Sequence, residues 1–392
     1  MIVIYAVEKL DLTRIDAIGF YGSMTSLTYL SMIFAGVIAD LTKGTKWVAL
    51  AGGLFEIIGV ICFISGDLST VIIGGIFFAV GSGSFVVASL SAFARSQFEQ
   101  LKTLHSGWTI YYVLINGGAF LGILYAEIYL SDTGPINFDA ILYASLPVFA
   151  LGALFTFINT PNFPKVKRKA NTHVGRDIVL IIFSVITTAL FWCCYEAFGG
   201  NIAFWIAELH RQNPDITPSQ ILNLNSYTVI AVGILLFVIW SFYKTTSLRL
   251  FAVAFGIAIA AFALLYFRSS QHLGMYNSIV LHTIFLAIAE VIIMPITLSI
   301  QNTHSNPRFL GIIMGGALLA GTLINKVFYQ LDTPDFGKMP IDWGITIIIF
   351  VLLAIFIVWF VLQFFLKDRF SFESVGSKNE TNIDLKEDEI LD

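Results

Sequence analysis

Charge is scarce in this chain. Asp, Glu, Lys and Arg make up 12% of its 392 residues, hydrophobic types make up 57%, and the mean hydropathy is +0.82. Soluble domains carry about 25% charged residues, so the shortfall excludes an ordinary soluble protein and indicates a chain that crosses a membrane repeatedly. Cysteine is almost missing as well. Cys62, Cys193 and Cys194 all lie in apolar stretches without the spacing of a metal site or a disulfide framework, and they read as small packing residues. The histidines His105, His173, His210, His272, His282 and His304 are scattered, which leaves no constellation for an enzyme. His282 alone sits well inside an apolar run and, with no acid near it in sequence, reads as a packed or gate-side residue. The net charge of -4 is spread over loops and an acidic tail (Asp384, Glu387, Asp388, Glu389, Asp392), so no nucleic-acid partner is indicated. A signal peptide is not supported, because Met1 to Val7 lacks a basic flank and a small-residue cleavage site.

What the chain has in abundance is long apolar runs. A bilayer needs about 20 apolar residues per helix, and eleven stretches are adequate, near 16–39, 47–65, 69–94, 105–126, 138–158, 178–207, 226–243, 248–267, 275–300, 309–331 and 341–366. A further apolar segment, Met1 to Val7, is too short to span. Strands of a membrane barrel would alternate in polarity and be about half as long, so continuous helix is the expectation throughout. Alternate loops differ in their content of Lys and Arg. One set holds Lys43, Lys46, Arg95, Lys102, Lys165, Lys167, Arg168, Lys169, Arg176, Lys244, Arg249 and Arg308, and the other only Lys9, Arg14, Arg211, Arg268, Lys326 and Lys338. The basic excess places the first set, and the C-terminal tail, in the cytoplasm. The longest basic loop, Pro161 to Asp177, follows the fifth complete span. If the Met1 segment is the end of a lost helix, that loop divides six spans from six, the layout of major facilitator transporters, whose substrate site lies between the halves at midplane.

Glu290 is the most informative residue. It is the only formally charged side chain between Arg268 and Arg308, within the run Ile284-Phe-Leu-Ala-Ile-Ala-Glu-Val-Ile-Ile-Met-Pro295. A carboxyl at bilayer depth costs several kcal/mol (about 2.5–3.5 for an acid on insertion scales) unless it faces a partner or a wet path. It therefore marks either an ion or substrate site or a protonated Glu bonded inside the bundle. Tyr112 and Asn116 lie four apart on one helix face, in a span with no charge between Lys102 and Glu127, so Asn116 is either a site residue or interhelical glue. Trp192 and Glu196 also share a face, and Glu196 is the lone formal charge between Asp177 and Glu208. Glu56 is a third carboxyl within a span, and a packing or lipid-edge role is expected for it. The segment Gly36-Val-Ile-Ala-Asp40-Leu-Thr-Lys-Gly44-Thr-Lys46 combines glycines that allow close helix approach with an acid able to cap a helix end.

That last segment resembles the loop signature of the major facilitator superfamily, which implies a part for Asp40 in gating. Other segments, in order, resemble the proton-dependent oligopeptide transporter family. Tyr5-Ala-Val-Glu-Lys-Leu-Asp-Leu and Tyr21-Gly-Ser-Met-Thr-Ser-Leu-Thr-Tyr29-Leu are similar to its first two helices, and Ser106-Gly-Trp-Thr-Ile-Tyr-Tyr112-Val-Leu-Ile-Asn116-Gly-Gly to its fifth. Phe191-Trp192-Cys-Cys-Tyr-Glu196 is similar to its seventh helix, Ile216-Thr-Pro-Ser219 through Asn225 to its eighth, and Ala289-Glu290 through Ser299 to its tenth. Asn306-Pro-Arg308 and Gly311-Ile-Ile-Met-Gly315 resemble the start of its eleventh. The resemblance implies that Glu290, Asn116 and Asn225 hold the amino end of a small peptide, that Tyr29 lines the cavity, and that Glu196 takes part in proton coupling and gating. It also implies a proton gradient as driving force with no cofactor, and a bacterial plasma (inner) membrane location.

The chain departs from that family in several places. The Glu-x-x-Glu-Arg of its first helix has no counterpart here, so an N-terminally truncated first helix is expected. Val86 replaces a lysine in Gly81-Ser-Gly-Ser-Phe85-Val86-Val87-Ala88, and Ala317 replaces a tryptophan. The hairpin that many bacterial members insert between the halves does not fit in Pro161 to Asp177. Both cationic groups for a peptide carboxylate are thus missing.

The expected protein is an all-α polytopic major facilitator. Residues 1–160 form the first half, 161–177 a basic cytoplasmic linker, 178–366 the second half and 367–392 an acidic, solvated tail. Its expected function is proton-coupled import of di- or tripeptides or related amino-bearing solutes across a lipid bilayer. Two alternatives stand beside this: a cargo without a carboxylate, and a non-transporting truncated remnant.

Overall fold

The computed structural model describes residues 2–42, 45–96, 104–128, 137–159, 174–196, 199–213, 215–216, 218–242, 247–269, 274–306, 309–316 and 341–365, and among these there is no strand. The elements in order are α1 (Ile2–Leu10), α2 (Arg14–Thr42), α3 (Thr45–Ile64), α4 (Leu68–Ser96), α5 (Leu104–Ile128) and α6 (Phe138–Asn159). They continue with α7 (Val174–Glu196), α8 (Gly199–Gln212), α9 (Pro218–Phe242), α10 (Ser247–Tyr266) and α11 (Gly274–His304), then a helical stretch over 310–316, and α12 (Ile341–Phe365). Hydrocarbon offers no partner for backbone N–H and C=O groups, so these apolar runs close their hydrogen bonds within each helix. Side-chain hydroxyls do the same. On α2, Ser23, Thr25, Ser26 and Thr28 donate to the carbonyls of Gly19, Tyr21, Gly22 and Met24 at 2.8–3.0 Å.

Nine described helices are long and apolar enough to cross a membrane, and they coincide with nine of the eleven expected spans. Parts of the other two lie outside the described residues. The expected span 178–207 is described as α7 up to Glu196 and α8 from Gly199, with residues 197–198 outside the described residues. Most of 309–331 lies outside the described residues, as do residues 161–173 of the basic linker and the tail 367–392. α7 begins at Val174, inside the expected linker.

α3 and α4 form the most extensive pair, and α4 also packs on α2 and α3 on α6. Their approach depends on Gly52 and Gly81, where a Cβ on Gly81 would stand 2.6 Å from the Gly52 carbonyl oxygen and from the Glu56 amide nitrogen. In the second half α10 packs on α11 and α12, and α11 touches α7 and α9. The halves meet where α5 lies against α9 and α11. α1 is held at one end of the first half, with the Tyr5 hydroxyl donating to the Phe63 carbonyl at 2.6 Å and its ring 5.5 Å from that of Phe138.

Candidate functional site

α11 is buried on nearly every face from Ala289 to Asn302, and Glu290 lies close to its middle with 3% of its surface exposed. At 1.5 Å per residue the carboxyl is roughly 20 Å from either end of the helix, which is midplane depth. Three other helices supply its partners. The Tyr112 hydroxyl of α5 donates to Oε1, and Asn225 Nδ2 of α9 donates to Oε2 at 3.1 Å. The same amide reaches the Tyr195 hydroxyl of α7 at 2.8 Å, and Tyr195 itself lies beside the carboxyl. Trp192, 4.9 Å from Tyr195 between ring centroids, points its indole N–H at Met294 Sδ, 3.2 Å away. One turn further along α7 and α11, the hydroxyls of Thr188 and Thr297 meet at 2.7 Å.

The site is thus a carboxyl group in an apolar enclosure of Val229, Ala287, Val291 and Met294. Among the described residues, the groups that hydrogen-bond it are neutral. In such surroundings the species that completes the arrangement is a proton or a cationic donor such as an ammonium group. Tyr112 bridges α5 to α11 and Asn225 bridges α9 to α11, so the carboxyl is tied to helices from both halves.

Of the residues selected from sequence, Glu290 and Asn225 are in direct contact. Asn116 sits one turn from Tyr112 and donates to the Tyr112 carbonyl at 3.1 Å, so it borders the group through its own helix. Tyr29 packs with Phe85 on a separate cluster of α2, α3 and α4 that includes Met32, Val48 and Ala88. α7 ends on Glu196, whose side chain lies outside the described residues, as do Arg308 and Ala317. Val86 is on an exposed face of α4. The two tyrosines that reach the carboxyl were not selected from sequence, although the shared face of Tyr112 and Asn116 carried the signal for the first.

Asp40, at the end of α2, makes a second constellation. Its carboxylate accepts from the backbone N–H groups of Gly311 and Ile312, both at 3.1 Å, and from Arg95 Nη2 of α4 at 2.9 Å. The side chains of Arg95 and Asp40 are 12% and 3% exposed. An anion at a helix N-terminus satisfies orphan donors and the helix dipole together. The contact requires glycine: a Cβ on Gly36 would be 2.5 Å from the Gly311 carbonyl oxygen, and one on Gly311 would be 2.7 Å from that of Gly36. Asp40, Arg95 and the 310–316 helix thus clasp the first half to the second at one end of the bundle.

Glu56 is apart from both constellations. It is buried between α3 and α4 and accepts from the Ser82 hydroxyl at 2.7 Å, a packing environment within the first half.

Comparison with known proteins agrees with this architecture. The chain is 22% identical over 402 aligned positions to the dipeptide and tripeptide permease A of Proteus mirabilis (strain HI4320), covering 85% of this chain and 82% of that one. It is 30% identical over 123 positions to the permease of the same name from Edwardsiella piscicida, covering 31% of this chain and 25% of that one. No family model matches. Among solved structures, the POT family transporter PepTSo superposes with a TM-score of 0.64 at 15% identity, covering 93% of this chain and 95% of that one. The major facilitator proton:xylose symporter XylE gives 0.66 at 13% identity, with 92% and 90% covered. The chain is an integral, multi-pass membrane protein with the major facilitator fold.

Proposed function

We propose that this protein is a secondary transporter that imports di- or tripeptides, or related amino-bearing solutes, together with protons by alternating access. The observation that carries the reading is Glu290, a carboxyl near the middle of α11 that, among the described residues, is hydrogen-bonded from α5 and α9 by the neutral groups of Tyr112 and Asn225. The named relatives are dipeptide and tripeptide permeases, and in this reading the proton gradient serves as the energy source. In this reading the cargo's ammonium group displaces the Tyr112 hydroxyl and binds Glu290 with Asn225, while Asn116 supports Tyr112 from one turn away. Tyr29 contacts the peptide backbone and Glu196 responds to protonation. With the cargo's ammonium group on Glu290 and the proton on a separate acid, Glu196, both are carried in one loaded state and their occupancies are linked.

The clasp at Asp40 supplies the other half of the cycle. The excess of Lys and Arg in the loops at its end of the bundle supports a cytoplasmic position for it. With Asp40 seated on the 310–316 helix that end is shut, and breaking the seat opens it for release. Residues 1–160 and 178–366 move as the two halves about the α5, α9 and α11 contacts. The test is proteoliposome uptake of a dipeptide panel under an imposed inward proton gradient. Gradient-dependent uptake in the wild type and none in Glu290→Gln is expected, and uptake unaffected by that substitution contradicts the reading.

A second reading is favoured by one specific observation. The Gly81–Ala88 segment resembles a motif of the oligopeptide transporter family that has a lysine where this chain has Val86, so a cargo without a carboxylate also suits the site. Competition of labelled dialanine uptake by peptides with amidated C-termini separates the two. Equal competition supports the second reading, and a strong preference for free carboxylates contradicts it.

A further inference from the structure

At the Asp40 end of the bundle, polar side chains are buried without partners. Gln301 and Asn302 are 0% and 1% exposed, and all four of their side-chain amide atoms lack a hydrogen bond. Ser91 Oγ on α4 and Trp108 Nε1 on α5, both in fully buried residues, are also unpaired. These residues share one neighbourhood, because Leu90, Ala94, Trp108, Leu298, Leu310 and Met314 form a single apolar cluster. Gln301 and Asn302 follow Leu298 by three and four residues, hence on its face of α11, and Ser91 precedes Ala94 by three on α4. Each buried, unsatisfied polar group costs about 1–3 kcal/mol, and native interiors hold few of them. The hydroxyls of α2 avoid that cost by bonding their own helix, whereas a glutamine and an asparagine with both amide atoms unpaired do not. An opening of this end would offer these amides the partners they lack in the closed arrangement.

We propose that Gln301, Asn302 and Ser91 form a second polar station on the transport path, which hydrogen-bonds the neutral amide groups of the cargo once the Asp40 end opens. This rests on the transporter reading above. Asn302 lies twelve residues beyond Glu290 on α11, about 18 Å along the helix axis. The station is therefore distinct from the carboxyl site and nearer the exit. Its chemistry suits the cargo's interior and not its ends: the amides both donate and accept, so they match peptide groups, and they carry no charge to retain an ammonium or carboxylate. The apolar cluster around them seals the closed state, and separation of α4 and α5 from α11 exposes both amides together.

The test is Asn302→Leu, alone and with Gln301→Leu, in the full chain. Removing unpaired polar groups leaves the thermal midpoint unchanged or higher, while half-saturation by dialanine at the cytoplasmic face rises about tenfold, the loss of one good hydrogen bond. Half-saturation at the opposite face changes less than about twofold on the same basis. A midpoint lowered by several degrees shows that the amides hold fixed structural water, and this overturns the proposal, as does an unchanged cytoplasmic half-saturation. If the wild type moves no peptide, the transporter reading fails, and reactivity decides the question of the station. With Cys62, Cys193 and Cys194 replaced by Ser, Asn302→Cys is expected to be blocked to a charged thiol reagent when Asp40 is intact and reactive in Asp40→Asn. A thiol that stays blocked in both overturns the proposal.

Discussion

Replacing Asp40 with Asn removes the charge from a carboxylate that accepts three hydrogen bonds, from the N–H groups of Gly311 and Ile312 and from Arg95. Hydrogen bonds to a charged group contribute about 1.5–3 kcal/mol each. Asn keeps one carbonyl oxygen and with it one of the backbone bonds, but it loses the ion pair and its interaction with the helix N-terminus weakens. Arg95, only 12% exposed along its side chain, is left without its carboxylate. Summed conservatively, the closed end loses about 2–4 kcal/mol, a shift of roughly 30- to 1,000-fold toward the open state. Spin labels at Thr42 and Phe309, both exposed and on opposite sides of the clasp, report this directly by pulsed dipolar spectroscopy. Asp40→Asn is expected to move most of the distance distribution to longer values and to slow gradient-driven uptake. A distribution identical to that of the unsubstituted protein would falsify the assignment of Asp40 as a conformational clasp.

Three further substitutions examine other parts of the structure. Gly81→Ala forces a methyl into a space where the Gly52 oxygen and the Glu56 nitrogen are each 2.6 Å away; a loss of about 1–3 kcal/mol is expected, measured as a lower thermal midpoint in detergent. Asn225→Leu deletes the amide that bonds both Glu290 and Tyr195, so dialanine affinity should fall about tenfold or more by calorimetry, with folding retained. Glu56→Gln preserves an acceptor for Ser82, so uptake should stay within about twofold of the wild type, the range of a packing change; abolition of uptake would show that Glu56 takes part in coupling.

Much of this molecule was readable before any coordinates, because a bilayer tolerates few alternatives. Runs such as 275–300 and 341–366 had to be helices, and the lone charge in the first of them had to be a special position. The opening of α9 at Pro218 lies eight residues before the expected span 226–243, because the polar first turns of that helix do not register in an apolar-run count. Helix rotation was not readable. Tyr112 and Asn116 lie on one face, and only the packing of α5 against α9 and α11 decides that the tyrosine reaches Glu290 while the amide turns back to its own helix. Asp40 was legible as a helix cap, but its partners at Gly311 and Ile312 are 271 and 272 residues away, and local pattern carries no such information.

The central claim is that Glu290 receives the amino end of the cargo. Calorimetric titration of the purified protein with dialanine and with N-acetyl-dialanine, for the wild type and Glu290→Gln, tests it most directly. The account predicts binding of dialanine by the wild type and a loss of at least about tenfold either on acetylation or in Glu290→Gln, the equivalent of one charge-assisted hydrogen bond. Equal affinity for the two peptides, or undiminished binding by Glu290→Gln, would contradict it.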